Sequence, residues 1–169
     1  LLEILTVGRY HRDKGQAYAL LALRRLRNQG LQIRWHFVGV GPDQRRLMKL
    51  AQRLGVAPQV VFHVALPPDQ LRHLYQTCHL FVLASLNNEG RYEHVETQGV
   101  VLQEAQASGC IPIATRVGGV PECINDQKDG LLIQDRSHRA IADAVLTMMA
   151  MPTAWPDYQR HGRRNVEER

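Results

Sequence analysis

The sequence has few cysteines and few aromatic residues, and it has no long apolar run. Its three cysteines, Cys78, Cys110 and Cys123, are odd in number and lack Cys-x-x-Cys spacing, which argues against a disulfide framework or a zinc site. None of the eight histidines forms a His-x-x-x-His pair, so we expect no metal cluster. No apolar stretch approaches the roughly 18 residues that span a bilayer. These absences predict reduced thiols in a cytoplasmic protein that holds no metal.

Basic residues outnumber acidic ones, 21 against 16, which gives a formal net charge of +5. They are scattered over predicted helix faces, and aromatic residues make up only 6% of the chain. No stacking platform is therefore expected among the charges, which argues against nucleic acid as a partner. An anionic substrate or an anionic membrane surface accounts equally well for the positive net charge. Association with the inner face of a membrane is a further expectation.

The length of 169 residues fits a single domain over residues 1–169. The first residues already have the pattern of a strand, and residues 160–169 have the pattern of a charged helix. We therefore expect a fragment of a longer protein.

Short apolar runs alternate with amphipathic stretches along the whole chain. The runs predict six strands, at residues 2–8, 33–40, 60–63, 79–84, 111–115 and 131–133. Helices are predicted at residues 15–28, 42–54, 67–75, 99–108, 120–124 and 138–150, with a last helix from residue 153. Strands that alternate with helices form parallel sheets covered on both faces. The predicted fold is thus α/β, a Rossmann-like doubly wound parallel six-stranded sheet with strand order 3-2-1-4-5-6.

Charged residues follow two of these strands. Arg9 and Lys14 lie in the loop after the first strand, and Glu96 lies in the loop after the fourth, eight residues before Glu104. In the predicted order the first and fourth strands are neighbours across the switch point, so their carboxyl ends border one crevice. We therefore expect the basic loop and the two carboxylates to converge there.

The helix after the fourth strand is predicted to start near Gly99, which would leave the amides of Gly99, Val100 and Val101 without helical partners. Such amides and the helix dipole favour an anion. Our hypothesis is that a phosphate binds these amides while Glu96 and Glu104 hold hydroxyl groups on either side. Glu104 is expected to be partly buried and to need donors. Each glutamate taken alone could equally be a helix cap or a solvated charge.

An ordered set of motifs resembles the C-terminal, nucleotide-sugar-binding domain of the retaining GT-B glycosyltransferases of group 1. The set runs over nearly the whole chain. In order, its members are Val7-Gly-Arg9 with Lys14-Gly15, Val38-Gly-Val-Gly-Pro42, Val61-Phe62 with Leu66-Pro67, Ala84-Ser85, Glu96-x7-Glu104-Ala105, Gly109-Cys-Ile-Pro112, Ala114-Thr115, Gly118-Gly-Val-Pro-Glu122 and Asp129-Gly130-Leu131. One such piece is a weak signal, whereas the ordered set is a strong one.

The resemblance implies an enzyme of polysaccharide biosynthesis that uses a nucleoside-diphosphate sugar as donor. Its hexosyl group would pass to a saccharide or a lipid carrier with retained anomeric configuration. The acceptor would be bound by an N-terminal domain that this chain does not include, so the isolated domain is expected to be inactive. No metal or cofactor would be required.

The resemblance also implies a set of donor-binding residues: Arg9, Lys14, Leu66, Glu96, Gly99, Val100 and Glu104. Arg9 and Lys14 would bind the diphosphate, joined by the amides of the two residues that start the predicted helix. Glu96 would hold sugar hydroxyls, Glu104 the ribose hydroxyls, and Leu66 would lie beside the nucleobase. The catalytic members would be Arg9, Lys14 and Glu96. Negative charge builds on the leaving diphosphate, and the preformed positive cradle that includes Arg9 and Lys14 lowers the barrier.

Two departures from the family pattern put sugar choice in doubt. Thr97 and Gln98 stand where the family usually has a glycine and often an aromatic residue, and the loop before Glu96 is longer than usual.

Two other interpretations of the sequence remain open. The carboxylates could be a glycosidase pair, which needs a separation of about 5 to 9.5 Å, or the chain could be a non-catalytic nucleotide-binding or interaction module. The donor base stays open among UDP, GDP and ADP.

Overall fold

The chain folds into a six-stranded parallel sheet with helices on both faces. The computed structural model describes residues 1–87 and 95–169, with the backbone alone at residues 95–98. The strands are β1 (Leu2–Val7), β2 (Ile33–Val38), β3 (Val60–His63), β4 (Leu80–Leu83), β5 (Ile111–Thr115) and β6 (Leu131–Ile133). Their order is β3-β2-β1-β4-β5-β6, and each neighbouring pair is parallel. The predicted fold class and strand order are thus confirmed.

The α-helices lie between the strands and after the last one. They are α1 (Gln16–Asn28), α2 (Gln44–Arg53), α3 (Pro68–Thr77), α4 (Val95–Ala107), α5 (Val120–Cys123), α6 (His138–Met149) and α7 (Trp155–Glu167). Most predicted ends differ from these by one or two residues. The largest difference is at α4, which begins at Val95, four residues before the predicted start. At α7, a short 3-10 turn over Pro152–Ala154 precedes the helix.

The sheet separates two hydrophobic cores because successive side chains of a strand point to opposite faces. Ile4 of β1 lies in one core with the inner face of α1, including Leu20 and Leu23. Leu5 lies in the other core with Phe81 of β4 and Leu102 of α4. Helices α1 and α4 therefore cover opposite faces of the sheet, as a doubly wound fold requires.

The loop after β1 is pressed against the end of β4. Gly15, at the start of α1, has a left-handed backbone with φ of 67°, and a Cβ placed on it would lie 1.9 Å from the Ala84 carbonyl oxygen. Two residues further along the β4 segment, the Leu86 N–H donates to the Asp13 carbonyl at 2.8 Å. Two loops that are about 70 residues apart in sequence therefore form one backbone joint at the switch point between β1 and β4.

The loop after β1 also packs on the loop after β2. The Tyr10 N–H donates to the Val40 carbonyl at 2.9 Å. A Cβ on Gly39 would lie 2.1 Å from the Gly8 carbonyl oxygen. Backbone packing thus accounts for the glycine at position 39 without a ligand.

The joint at Gly15 gives a test of the fold. Replacing Gly15 by alanine should lower the free energy of unfolding by about 3 kcal/mol or more, since it adds a backbone clash to the strain of a left-handed residue. Gly30→Ala is the matched control, because Gly30 also has a positive φ, of 86°, but nothing lies within 4 Å of the added Cβ. That variant should lose only about 1 kcal/mol. Equal losses in urea titrations of the two variants would contradict the close packing at Ala84.

Candidate functional site

The loop after β1 carries the predicted diphosphate-binding residues on a fixed backbone. The buried Gln16 side chain donates from Nε2 to the Arg9 carbonyl at 2.7 Å, and the Arg9 side chain is exposed. Lys14 is half-buried, and its aliphatic part lies against Gly8. The loop therefore holds both positively charged residues close to the β1–β4 switch point.

The segment that leaves β4 is anchored at successive residues. Ser85 is fully buried, and its carbonyl accepts a hydrogen bond from Thr115 Oγ1 at 2.6 Å. Leu86 is held by Asp13, as described above. The Ser85 hydroxyl and the Gln16 Oε1 atom are both buried, and neither has a partner in the part of the chain that the structure describes. An unpaired buried atom costs about 1–3 kcal/mol of desolvation. The switch point thus combines rigid backbone with unpaired polar atoms.

Asn87, the next residue, is clamped by the loop after β6. Its N–H donates to Asp135 Oδ2 at 2.9 Å, and its carbonyl accepts from Arg136 Nη2 at 2.8 Å. Arg136 and Asp135 also form an ion pair at 2.6 Å. The segment that runs towards α4 thus leaves the sheet from a position fixed by the loops after β1 and β6. Residues 88–94 of the predicted polar loop lie outside the described residues.

Helix α4 corrects the predicted position of the free amides. The helix begins at Val95. Residues 95–98 contain no glycine or proline, so nothing in this stretch breaks the helix ahead of Gly99. Gly99 and Val100 therefore lie past the first turn, where each N–H pairs with the carbonyl four residues earlier. Gly99 instead faces α5, since a Cβ there would lie 3.8 Å from Cys123 Sγ. The expectation that the Gly99 and Val100 amides are unpaired is wrong.

The two glutamates of the predicted signature stand on the same helix. Glu96 lies in the first turn of α4 and not in the loop ahead of it, and its side chain is outside the described part of the chain. Eight residues separate Glu96 from Glu104, which corresponds to about 12 Å along a helix axis. That spacing does not favour a glycosidase pair, whose carboxyl groups lie about 5 to 9.5 Å apart.

Glu104 is exposed, which corrects the expectation that it is partly buried. It lines a groove of about 610 Å³ between α3 and α4, together with Tyr75 and the two arginines Arg72 and Arg163. Tyr75 is only 3% exposed, and its hydroxyl has no hydrogen-bond partner among the described residues. Burial raises the pKa of the Tyr75 hydroxyl well above its ordinary value, and the Glu104 carboxylate raises it further. The exposed carboxylate and the buried hydroxyl thus border one groove.

Leu66 lies in a different cavity, of about 300 Å³, on the β3 side of α3. Its other lining residues include His63, Asp69 and His73. Helix α3 therefore stands between this cavity and the groove that contains Glu104. The structure brings the basic loop and the β4 segment together, but it places Leu66 and Glu104 in separate cavities.

A chain of polar side chains crosses β1, β2 and β3 beside the Leu66 cavity. Glu3 Oε1 lies 3.3 Å from His36 Nε2, and His36 Nδ1 lies 3.1 Å from His63 Nε2. Burial lowers the pKa of His63, and the neighbouring His36 lowers it further. Both effects disfavour the charged form of the His63 ring.

Sequence reasoning missed several residues at this site. Tyr75 was included in a predicted helix without a functional role, and Asp135 and Arg136 were not singled out at all. Nothing in their local pattern shows that they meet Glu104 or Asn87, since those contacts join distant segments.

Two further expectations from the sequence concern metal binding and membrane spans. Within residues 1–87 and 95–169, no three metal-binding side chains come together. No helix in the same part of the chain is long and apolar enough to cross a membrane.

The buried tyrosines Tyr10 and Tyr75 differ in their hydrogen bonding, and this difference can be measured. Tyr10 shares its hydroxyl proton between the carbonyls of Phe37 and His63, at 2.9 and 2.7 Å, so Tyr10→Phe should cost about 1–2 kcal/mol of unfolding free energy. Tyr75→Phe removes a hydroxyl that has no partner, so its effect should range from none to a stabilisation of about 1 kcal/mol. Urea unfolding of both variants checks this. A larger loss for Tyr75→Phe than for Tyr10→Phe would contradict the structure.

The pKa of His63 predicts how stability depends on pH. Because the folded state lowers that pKa from its ordinary value of 6.5, the unfolded state binds more protons just below this pH. The free energy of unfolding should therefore fall as the pH is lowered from about 7.5 to 5.5. His63→Gln should reduce this slope, whereas His73→Gln, at an exposed position of α3, should leave it unchanged. Identical slopes for the wild type and His63→Gln would count against the assignment.

The sequence of this chain is similar to those of known glycosyl transferases. The family model of glycosyl transferases group 1 matches residues 2–168 of the chain. A GDP-mannose-dependent alpha-(1-6)-phosphatidylinositol monomannoside mannosyltransferase of Mycolicibacterium smegmatis is 32% identical over 149 residues, which cover 88% of this chain and 39% of that protein. A D-inositol 3-phosphate glycosyltransferase of Segniliparus rotundus is 31% identical over 150 residues, 86% of this chain and 32% of that protein. The chain thus spans less than half the length of these relatives.

Solved structures share the fold. The C-terminal domain of a group 1 glycosyl transferase from Francisella tularensis has a TM-score of 0.80 and 22% identity, with 99% of this chain and 85% of that chain covered. The Anabaena protein HepE, solved in complex with UDP, has a TM-score of 0.82 and 20% identity, with 99% of this chain and 44% of that chain covered. With a family match from end to end and this shared fold, the chain belongs to the group 1 glycosyl transferases, and its architecture is that of the C-terminal half of a GT-B enzyme.

Proposed function

We propose that this domain binds the nucleoside-diphosphate sugar of an enzyme that transfers a hexosyl group to a saccharide or a lipid-carrier acceptor, with retention of configuration. The observation that supports this best is the backbone joint between the loop after β1 and the end of β4. It places Arg9 and Lys14 at the switch point of the sheet, which is where open α/β sheets bind their ligands.

In this proposal the basic loop acts on the leaving group. As the bond between sugar and diphosphate breaks, negative charge builds on the diphosphate oxygens, and the charges of Arg9 and Lys14 stabilise it. The loop is held by backbone contacts on both sides, so little reorganisation is needed when the charge develops. A loop that had to reorganise would lose part of that stabilisation.

The remaining donor contacts follow from the family resemblance. Glu96 would accept hydrogen bonds from sugar hydroxyls, Glu104 would accept them from ribose, and Leu66 would pack beside the base. A role for the Gly99 and Val100 amides would need a helix that starts later than α4 does. In the present fold, the amides that α4 leaves without helical partners belong to its first turn, residues 95–97, and these would face the phosphates.

The identity of the donor and the acceptor also belongs to the proposal. The M. smegmatis relative is named for GDP-mannose, and HepE was solved with UDP, so similar proteins differ in base. The acceptor would be bound by another part of the full-length protein. That protein would act in the cytoplasm or at the inner face of the membrane, without a resident metal or cofactor.

The test is calorimetry with GDP, UDP and ADP and with the matching nucleosides. Lys14→Ala should weaken binding of the best diphosphate about tenfold and leave nucleoside binding unchanged, because one charge-assisted contact to phosphate is lost. Glu104→Ala should weaken diphosphate and nucleoside by a similar factor, since both contain the ribose.

Controls on exposed residues separate these effects from general changes in charge. Lys128→Ala and Glu122→Ala remove exposed charges from the segment between β5 and β6, and neither should change binding. Equal affinity of the wild type, Lys14→Ala and Glu104→Ala for every nucleotide would refute the site. The chain would then be a non-catalytic module of the same fold.

A further inference from the structure

The groove between α3 and α4 contains a polar atom that the fold itself leaves without a partner. Tyr75 projects from the last turn of α3, and its ring packs on Phe81 with centroids 5.9 Å apart. The ring is therefore fixed in the core, and Tyr75 lines the groove that Glu104 borders. The Tyr75 hydroxyl is a buried donor with no acceptor in the described structure.

Glu104 supplies the missing acceptor. Its carboxylate is close enough to raise the pKa of the Tyr75 hydroxyl, although the two groups do not meet hydrogen-bond geometry in the structure. The Glu104 side chain is exposed, so it can change rotamer without disturbing the core. A rotation of this side chain would join the groups and leave the hydroxyl proton on Tyr75 as the donor. An ionised carboxylate has about four lone-pair sites, so it can still accept two further hydrogen bonds.

We propose that Tyr75 is a positioning residue, whose hydroxyl donates to the Glu104 carboxylate and orients it to accept a hydrogen bond from the ribose 2′-hydroxyl of the bound nucleoside diphosphate. The proposal rests on the function proposed above, in which Glu104 holds the ribose. The exposed Glu104 side chain must lose rotamer freedom when it binds a ligand, and a hydrogen bond from the fixed Tyr75 hydroxyl, formed in the bound state, would offset part of that cost. Tyr75 would thus contribute to affinity without touching the ligand.

The ribose hydroxyls allow a test that a merely structural role would not pass. The affinity of the chain is measured by calorimetry for whichever of GDP, UDP and ADP it binds best, and for the 2′-deoxy form of that nucleotide. The wild type should prefer the ribonucleotide about tenfold, because one hydrogen bond to a charged acceptor is missing in the deoxy form. Tyr75→Phe should weaken ribonucleotide binding about five- to tenfold and bring the ratio of the two affinities close to one. Binding of the deoxy form should change little.

Two further variants make the interpretation specific. Tyr158→Phe removes the hydroxyl of another buried tyrosine, on α7, and should keep the wild-type ratio. In a Glu104→Ala background, Tyr75→Phe should have no additional effect, since the acceptor is already gone.

The outcomes distinguish the role of Tyr75 from the proposed binding of a nucleoside diphosphate. A wild-type ratio in Tyr75→Phe, or additive losses in the double variant, would overturn the role of Tyr75 while leaving nucleotide binding intact. If the wild type binds none of the three diphosphates, the proposed function fails, and the role of Tyr75 fails with it. Loss of ribose preference in Tyr75→Phe alone, with unchanged unfolding free energy, supports the proposal.

Discussion

The organisation of this domain depends on one backbone contact, between the start of α1 and the end of β4. At Gly15 the chain approaches Ala84 so closely that a Cβ would overlap the carbonyl oxygen. The approach lets the Asp13 carbonyl accept the Leu86 N–H. Because β1 and β4 are neighbours at the switch point, this joint decides where the basic loop stands relative to the segment that runs towards α4.

The same joint limits the flexibility of the loop that carries Arg9 and Lys14. Arg9 and Lys14 belong to a loop whose carbonyls are held by Gln16, Leu86 and the loop after β2. On the opposite side, Asp135 and Arg136 hold both backbone groups of Asn87. A positive site that is built in advance stabilises developing negative charge better than one that must assemble around it.

Helix α3 divides the surface beside this joint into two regions. The groove on its α4 side is lined by the exposed Glu104 and the buried Tyr75, whereas the cavity on its β3 side is lined by Leu66 and His63. One helix thus separates the two residues expected to contact ribose and base.

The sequence by itself determined the strand positions, the parallel sheet and its order, because apolar periodicity and the glycines and prolines that end each element are local signals. It also determined which residues bear charge at the carboxyl ends of β1 and β4. Only the tertiary structure decided that α4 begins at Val95, that Glu104 is exposed, and that Tyr75 and Arg136 border the site. Those features depend on contacts between segments far apart in the chain, and local pattern carries no information about which distant atoms meet.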